Sequence, residues 1–256
     1  MNRTRPGPIL WLLASFCGLA FMAPPAQAFV PSAQRLNGGM IEANRSAKRN
    51  QSLRISFTLH EIKGSQNQTI GKGEILTNAS GLSRLEIDFA DGSRERHLLR
   101  GSQYLVSREG ERVSDANPYL LPFPVLQAGD KETLQYAYRS LKVSPESSVL
   151  TRVDGNEAYR VGSASREDLS LDLAGGVGPG AIWLAVEGLY PLKMRLGQGS
   201  VYLLGQELNW GKIRVPSHID LEGDIGVTHR IKIENIESSP APAQVFTAEW
   251  LQFLGK

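Results

Sequence analysis

Apolar and polar residues alternate strictly in several segments of this chain. Residues 53–62 (L-R-I-S-F-T-L-H-E-I) place apolar side chains on one face and polar side chains on the other, and residues 82–89 and 225–233 repeat the pattern. A period of two is typical of a half-exposed antiparallel strand. Residues 78–81 and 91–92 carry the Asn, Asp and Gly that favour tight turns. The pattern therefore predicts a large antiparallel sheet built from hairpins.

Two segments show helical spacing instead. Residues 32–49 are polar with apolar residues at intervals of three or four, which predicts a short amphipathic helix. Residues 130–141 predict a second helix, because Asp130 is a good N-cap and one apolar stripe follows it. The stripe consists of Leu134, Tyr138 and Leu141.

A proline-rich segment lies just before the second predicted helix. Residues 117–126 (N-P-Y-L-L-P-F-P-V-L) hold three prolines among apolar residues, so they do not fit a central strand. Left exposed, they would form an unusually large apolar patch. We expect this loop and the following helix, an insertion at about residues 114–145, to cover the sheet as a lid.

The C-terminal half contains further apolar runs. Residues 181–196 hold two of them, joined by Glu-Gly-Leu-Tyr-Pro, and residues 201–208, 213–221 and 225–233 continue with strand-like patterns. Together they predict a run of hairpins. The glycine-rich residues 174–181 lack the Gly-Lys-Ser/Thr ending of a phosphate loop, so we interpret them as a flexible loop.

The first 28 residues have the three parts of a secretory signal peptide. Two arginines precede an apolar run at residues 9–23, and residues 26–28 (Ala-Gln-Ala) offer a small-x-small cleavage site. The apolar run is shorter than the roughly 20 residues of a membrane-spanning helix. We expect cleavage after Ala28, a single mature domain at residues 29–256 without a permanent membrane anchor, and a periplasmic location in a bacterial source.

Charge and composition exclude several classes of protein. The chain has 28 basic and 26 acidic residues, and the loss of Arg3 and Arg5 with the signal leaves 26 of each, without a basic run for nucleic acid. The one cysteine, Cys17, also leaves with the signal. The histidines are far apart, and no Gly-x-Ser-x-Gly motif occurs. We expect no metal, no cofactor and no enzymatic activity, with a secreted hydrolase as the least favoured alternative.

His229 lies on the apolar face of its predicted strand, beside Ile231 and Ile233. We interpret it as a hydrogen-bonded core residue. A pH-sensitive or ligand-contacting role is the alternative, because an imidazole titrates near neutral pH.

The C-terminal half also carries a characteristic order of strand motifs. A tryptophan-bearing strand is followed by Y-P-L-K-M-R-L (190–196), V-P-S-H-I-D-L (215–221), H-R-I-K-I-E-N-I (229–236) and a closing V-F-T (245–247). This order resembles that of the periplasmic outer-membrane lipoprotein carriers, the LolA/LolB-like family, and the N-terminal half is compatible with it. The Arg-Pro pair that typically ends the second strand of these carriers is absent, so no functional arginine of the family is assigned here.

The resemblance implies an α+β fold: a strongly curved, unclosed antiparallel half-barrel whose concave apolar face is covered by helices and holds acyl chains. It implies a non-enzymatic carrier or chaperone for a lipid or the acyl chain of a lipoprotein, including outer-membrane lipoprotein sorting. An envelope sensor or assembly module that binds a protein partner is the alternative. A core completely filled by sheet and helices would use the same residue types as a cavity. The predicted cavity lining consists of Phe57, Leu59, Ile87, Phe89, Leu121, Phe123, Trp183, Met194, Ile231 and Ile233.

Overall fold

The computed structural model describes residues 30–163, 178–197, 199–223 and 226–252. The predicted signal peptide lies outside these residues, as do residues 174–177 of the predicted glycine-rich loop. The helices are α1 (Ala33–Ser46), α2 (Phe123–Gln127) and α3 (Lys131–Leu141), with short 3-10 helices at Ala243–Val245 and Ala248–Leu251. The strands are β1 (Leu53–Lys63), β2 (Gln66–Thr77), β3 (Ser83–Phe89), β4 (Arg94–Arg100), β5 (Gln103–Arg108), β6 (Glu111–Val113), β7 (Ser147–Val153), β8 (Asn156–Gly162), β9 (Ala181–Ala185), β10 (Pro191–Arg195), β11 (Val201–Leu204), β12 (Glu207–Trp210), β13 (Ile213–Pro216), β14 (His218–Gly223) and β15 (Gly226–Ser238).

Thirteen strands form one antiparallel sheet in the order β6-β5-β4-β3-β2-β1-β15-β14-β11-β10-β9-β8-β7. The pairing of β1 with β15 joins the N-terminal and C-terminal runs of hairpins at the middle of the sheet. β6 and β7 end the sheet at opposite sides and do not pair with each other, so the sheet is not closed. This arrangement confirms the predicted α+β half-barrel.

Phe57 shows why the central strands approach closely. It pairs with Ile233 on β15 and with Gly73 on β2, and Gly73 pairs in turn with Ile87 on β3. A Cβ atom on Gly73 would lie 2.7 Å from the Phe57 ring and 2.1 Å from the backbone oxygen of Glu86. The missing side chain therefore leaves room for the aromatic ring between β1 and β3.

Each of the two predicted helices begins directly after a residue that caps it, and the cap of the second helix, Asp130, was predicted from the sequence. The hydroxyl of Ser32 accepts a hydrogen bond from the N–H of Arg35 at 3.3 Å, and α1 begins at the next residue. The carboxylate of Asp130 accepts one from the N–H of Thr133 at 2.8 Å, and α3 begins at the next residue. These bonds satisfy N–H groups that lack a partner within the helix. None of the described helices is both long and apolar enough to cross a membrane.

Residues 201–208 and 213–221, predicted to belong to a run of hairpins, each contain parts of two strands. β11 and β14 belong to the large sheet, whereas β12 and β13 form a separate two-stranded sheet. The change occurs at Gly205, where a Cβ atom would lie 2.3 Å from the His218 ring, and only glycine allows so close an approach of the chain. Beyond this point the β12–β13 hairpin leaves the sheet, yet Ile213 and Val215 remain in the main core.

A C-terminal strap, residues 239–252, packs on the other face of the sheet, over β2, β4 and β5. Phe246 and Leu251 pack with Leu76 and Leu98 in a second apolar cluster, separate from the main core. Two guanidinium groups contact the Trp250 ring, with Cζ of Arg84 at 4.9 Å and Cζ of Arg96 at 5.1 Å from the ring centroid. We call this the convex face, and the face turned toward the helices the concave face.

Candidate ligand-binding site

The concave face carries the six strand residues predicted to share it. Pairing between β1 and β15 joins Phe57 to Ile233 and Leu59 to Ile231, and β2 connects the same rows to Ile87 and Phe89 on β3. Directly paired residues point to the same side of a sheet. Five of the six are buried in the main core, and Phe89 is partly buried against it. The shared apolar face is therefore confirmed.

The cover of this face is α1, α3 and the prolyl segment, residues 117–129, which contains α2. Leu121 and Phe123, the two predicted lid residues, belong to the same buried cluster as the concave strands. The other apolar side chains of the segment in that cluster are Tyr119, Leu120, Val125, Leu126 and Ala128. The stripe of Leu134, Tyr138 and Leu141 on α3 is buried there as well. The prolyl segment thus fills the groove of the half-barrel with its own side chains.

Met194 and Trp183 do not share a face, and the prediction that both line the cavity was wrong for Trp183. Met194 pairs with Ile182, and both lie in the main core. Trp183 is the next residue along β9, so its side chain points to the convex face, where it packs with Ala158 and Ala181. Three basic side chains surround its ring there, those of Arg160, Lys193 and Arg195, at 5.5–5.6 Å from the ring centroid.

A small cavity remains between the sheet and its cover. Phe123 and Leu126 of the prolyl segment line it together with Ile55 and Ile233 of the sheet and Val215 of the hairpin. Its volume is about 10 Å³, the space of one water molecule and far less than an acyl chain requires. In this conformation the cover is closed over the groove at that point.

The C-terminal end of the prolyl segment is held by polar side chains of α1. Asn44 is fully buried, and its Nδ2 donates hydrogen bonds to the backbone oxygens of Val125 at 2.9 Å and Ala128 at 3.0 Å. Nε of Arg45, the next residue, donates to the backbone oxygen of Gly129 at 2.6 Å. These side chains donate to carbonyl oxygens at and just beyond the C-terminal end of α2, where the helix offers few backbone donors.

Gln127 and Tyr202 hold the segment to the sheet. Nε2 of Gln127 donates to Oγ1 of Thr77 at 2.6 Å and to the backbone oxygen of Gln51 at 3.0 Å. At the other end, the hydroxyl of Tyr202 on β11 donates to the backbone oxygen of Pro118 at 2.7 Å. Both ends of the segment are therefore tied by hydrogen bonds, while its middle is held by apolar packing.

A buried polar chain lies beside the N-terminal end of the segment. Nε2 of His97 is 2.6 Å from Oε1 of Glu95, and its Nδ1 is 2.7 Å from the hydroxyl of Tyr104. Oε2 of Glu95 accepts two hydrogen bonds from the guanidinium of Arg108, at 2.7 and 3.0 Å. An ionised carboxylate only accepts, so Nε2 carries the imidazole proton and Nδ1 accepts from Tyr104. The hydroxyl of Tyr104 accepts in turn from the N–H of Leu120 at 3.4 Å.

Burial and hydrogen bonding set the charge states of His97 and Glu95. Burial lowers the pKa of His97, although the hydrogen bond to Glu95 opposes the change. For Glu95 burial alone would raise the pKa, but the hydrogen bonds from His97 and Arg108 together bring it below its usual value. At neutral pH the imidazole is therefore neutral and the carboxylate ionised. Protonation of Nδ1 would reverse the hydrogen bond with Tyr104, which connects the titration of His97 to the prolyl segment.

His229 lies at one end of the concave face. It pairs with Glu61 on β1 and with Leu221 on β14, and its ring centroid is 6.0 Å from that of Tyr119 in a T-shaped contact. Burial lowers its pKa, with Glu61 acting in the opposite direction. The residue is half-buried beside the prolyl segment, and its assignment as a core residue stays a prediction.

The polar residues that hold the cover were not predicted from the sequence. Asn44 continues the spacing of Leu36 and Met40 on the apolar stripe of α1, so a polar residue among core positions was the available signal. His97 pairs with Leu85 on the concave face of the sheet and gives the same signal on a strand. In the described part of the chain, no three His, Cys, Asp or Glu side chains are grouped to hold a metal ion.

The comparisons with known proteins bear on the fold. No protein-family model matches the sequence, and no curated protein does. Among solved structures, the chain is similar to a LolA superfamily protein from Nitrosomonas europaea, with a TM-score of 0.54 and 11% identity over 87% of this chain and 100% of that one. The chain has a LolA-like fold. It is similar to the same extent to a DUF1329 family protein from Desulfovibrio piger, with a TM-score of 0.53, 11% identity and coverage of 87% and 100%.

Proposed function

We propose that this protein is a non-enzymatic periplasmic carrier or chaperone that binds a lipid, or the acyl chains of a lipoprotein, against the concave face of its sheet. The observation that most supports this proposal is that a separate segment, residues 117–129, covers this apolar face and fills the groove with its side chains. The LolA-like fold supports the proposal, and the predicted signal peptide supports a periplasmic location.

Binding requires the prolyl segment to move. The cavity of about 10 Å³ holds no acyl chain, so a ligand must replace side chains such as Leu121 and Phe123. A 16-carbon chain gains on the order of 12 kcal/mol from burial of its methylenes, whereas one hydrogen bond contributes about 1 kcal/mol. An acyl chain can therefore offset the displacement of several apolar side chains and the hydrogen bonds at the ends of the segment. The sheet itself stays intact in this exchange.

The test is lipid recovery followed by acyl-probe uptake. Organic extraction and mass spectrometry of the purified mature protein should recover a bound lipid. Replacing Leu121 and Phe123 together by Asp should abolish uptake of a fluorescent fatty-acid probe, because both side chains lie in the groove. The circular dichroism of the sheet and cooperative melting should survive.

Leu150 and Leu208 supply the matched control. They are exposed, at 38% and 43%, so replacing both by Asp changes hydrophobicity equally without entering the groove. This control should take up the probe as the wild type does. Absence of lipid together with unchanged uptake in the Leu121/Phe123 variant would remove the groove from the function. Unfolding of that variant would assign the segment to a permanent core.

The alternative function, binding of an envelope protein partner, is favoured by one feature of the sheet edge. In the described part of the chain, β7 is the outermost strand on its side, and Leu150 on it is an exposed large apolar residue. Such an edge can accept a strand from a partner. A photo-crosslinking residue at Leu150 that captures one defined envelope protein, with no lipid in the extract, would favour this function.

A further inference from the structure

An open cleft of about 300 Å³ lies where α1, the β9–β10 turn and the β12–β13 hairpin meet. Gly39 of α1 admits the Leu189 side chain from the turn, because a Cβ atom on Gly39 would lie 2.2 Å from Cδ1 of Leu189. The hairpin is joined to the end of α1 by a hydrogen bond of 2.9 Å from the N–H of Arg214 to the oxygen of Ala47. Three elements distant in sequence therefore form the cleft.

The end of α1 fixes Arg49 at this cleft. Lys48 adopts a left-handed conformation with φ 56°. The N–H of Lys48 bonds to the oxygen of Arg45 and the N–H of Arg49 bonds to the oxygen of Asn44, each at 3.0 Å. These are the two hydrogen bonds of a Schellman motif, which turns the chain sharply after the helix.

Arg49 is a buried cation with unused donor capacity. Its side chain is 1% exposed and contacts the carboxylate of Glu207, while its Nε has no hydrogen-bond partner. A guanidinium has five N–H donors, and an unsatisfied buried donor is costly. Burial lowers the pKa of Arg49, and Glu207 opposes the change. The guanidinium group can therefore donate hydrogen bonds to a second acidic group beside Glu207.

The cleft presents both signs of charge. Arg49 and Arg214 line it together with Glu187 and Glu207, and Tyr190 contributes to its wall. A ligand with only an anionic group would meet repulsion from the two carboxylates. A ligand that carries an anion and a cation complements both pairs.

The same arginine separates this polar cleft from the apolar interior. Arg49 also lines the cavity of about 10 Å³ that Leu53, Phe123 and Ile233 share. A molecule with a polar head in the cleft could thus extend an apolar chain past Arg49 into the concave groove, once the prolyl segment moves. An amphiphile fits this neighbourhood better than a wholly polar solute does.

We propose that the cleft binds the zwitterionic head group of a phospholipid, an aminoalkyl phosphate, whose acyl chain enters the concave groove beside Arg49. The phosphate lies against Arg49 and Arg214, and the ammonium group lies against Glu187 and Glu207. This inference rests on the proposed lipid-carrying function and adds the class of lipid.

The test compares lysolipids of equal chain length below their critical micelle concentrations, measured by titration against the mature protein. Lysophosphatidylethanolamine should bind about tenfold more tightly than lysophosphatidylglycerol, since one well-placed charge-assisted hydrogen bond accounts for about that factor. Replacing the exposed residues Arg214 and Glu187 together by Gln should remove this preference. The variant should keep its affinity for a plain fatty acid, because the groove is unchanged.

The control is a second pair of charges outside the cleft. The side chains of Arg54 on β1 and Glu237 on β15 are 43% and 57% exposed. Replacing both by Gln should leave the preference as in the wild type. A double variant, Arg49→Gln with Glu207→Gln, removes the inner charges while it keeps hydrogen-bonding groups, and it should also lose the preference.

The outcomes separate this inference from the proposed function. Equal binding of the two lysolipids, or an unchanged preference in the Arg214/Glu187 variant, would overturn the head-group site and leave a carrier without head-group selection. If free glycerophosphoethanolamine binds as tightly as the lysolipid, the site binds a soluble aminoalkyl phosphate, and the proposal of an amphiphilic ligand is wrong. If neither lysolipids nor fatty acids bind, the proposed function itself fails.

Discussion

Nδ2 of Asn44 on α1 donates a hydrogen bond of 2.9 Å to the backbone oxygen of Val125, 81 positions away in the prolyl segment. The same nitrogen donates to Ala128 at 3.0 Å, so one buried amide joins the N-terminal helix to the cover of the groove. Because the amide is fully buried, water does not replace it when it is removed.

Replacing Asn44 by Ala should lower the free energy of unfolding by about 2–3 kcal/mol, since the backbone oxygens of Val125 and Ala128 both lose the hydrogen bond from its buried amide. It should also speed uptake of a fatty-acid probe, because one end of the cover is released. Urea unfolding and stopped-flow fluorescence measure the two effects. Asn67→Ala is the control: that residue is exposed near the β1–β2 turn, and its removal should change stability by less than about 0.5 kcal/mol. A stable variant with unchanged uptake would show that Asn44 does not hold the cover.

Adding one methyl group should have opposite effects at two glycines. Gly73→Ala should destabilise the protein by about 2 kcal/mol, because the new Cβ would meet the backbone oxygen of Glu86 and the Phe57 ring. Gly38→Ala, in the exposed middle of α1 with nothing within 4 Å of its Cβ, should stabilise by about 0.5–1 kcal/mol. Thermal and urea unfolding of the two variants check the signs. A Gly73→Ala variant as stable as the wild type would mean that β2 shifts freely relative to β3.

Alternation and capping residues were enough to predict much of this fold. The strict alternation at residues 53–62 gave the position of β1 and its concave face, and Asp130 gave the start of α3. β9 carries no such alternation. Residues 181–185 are apolar throughout and buried on both faces, so no polar neighbour indicated which way Trp183 points. Only the pairing of Met194 with Ile182 decides it.

The polar part of the candidate site was less predictable for a different reason. The partners of Asn44 and Gln127 are far away in sequence, and the roles of these amides follow from backbone groups that any residue carries. From the sequence, Arg49 would likewise be expected to be an exposed cation just after a helix. Its burial depends on the β12–β13 hairpin, which turns out of the sheet at Gly205 and brings Glu207 against it.

Acid should destabilise the protein through His97. Its pKa is lowered in the folded state by burial, so the unfolded chain binds the proton more readily, with a pKa of about 6.5. Stability from this residue is complete above that pH and is lost as the pH falls through it, by at most about 1.4 kcal/mol per pH unit. Glu95, whose pKa is lowered, adds a loss in the same direction at lower pH, as it is protonated.

Urea unfolding between pH 7.5 and 5 measures this effect. His97→Gln should be less stable than the wild type at pH 7.5, and the difference should shrink toward pH 5 because the variant lacks the titrating group. His229→Gln is the comparison: it should alter stability without changing probe binding between pH 5 and 8, if His229 is a core residue. A wild-type pH slope in His97→Gln would assign the acid sensitivity to other groups.

The three tryptophans of the mature protein should report where an acyl chain lies. Trp210, at the tip of the β12–β13 hairpin, packs against the main core that includes the concave face. Trp183 and Trp250 lie on the convex side. Trp183 packs with Ala158 and Ala181, and Trp250 belongs to the C-terminal strap. A nitroxide-labelled stearic acid quenches tryptophan emission only at short range, so a chain in the concave groove should quench Trp210. Trp183→Phe and Trp250→Phe should keep the quenching, and Trp210→Phe should lose it while it still binds the label. Quenching that survives in Trp210→Phe and disappears in Trp183→Phe would place the chain on the convex face, and the concave groove would then not be the binding site.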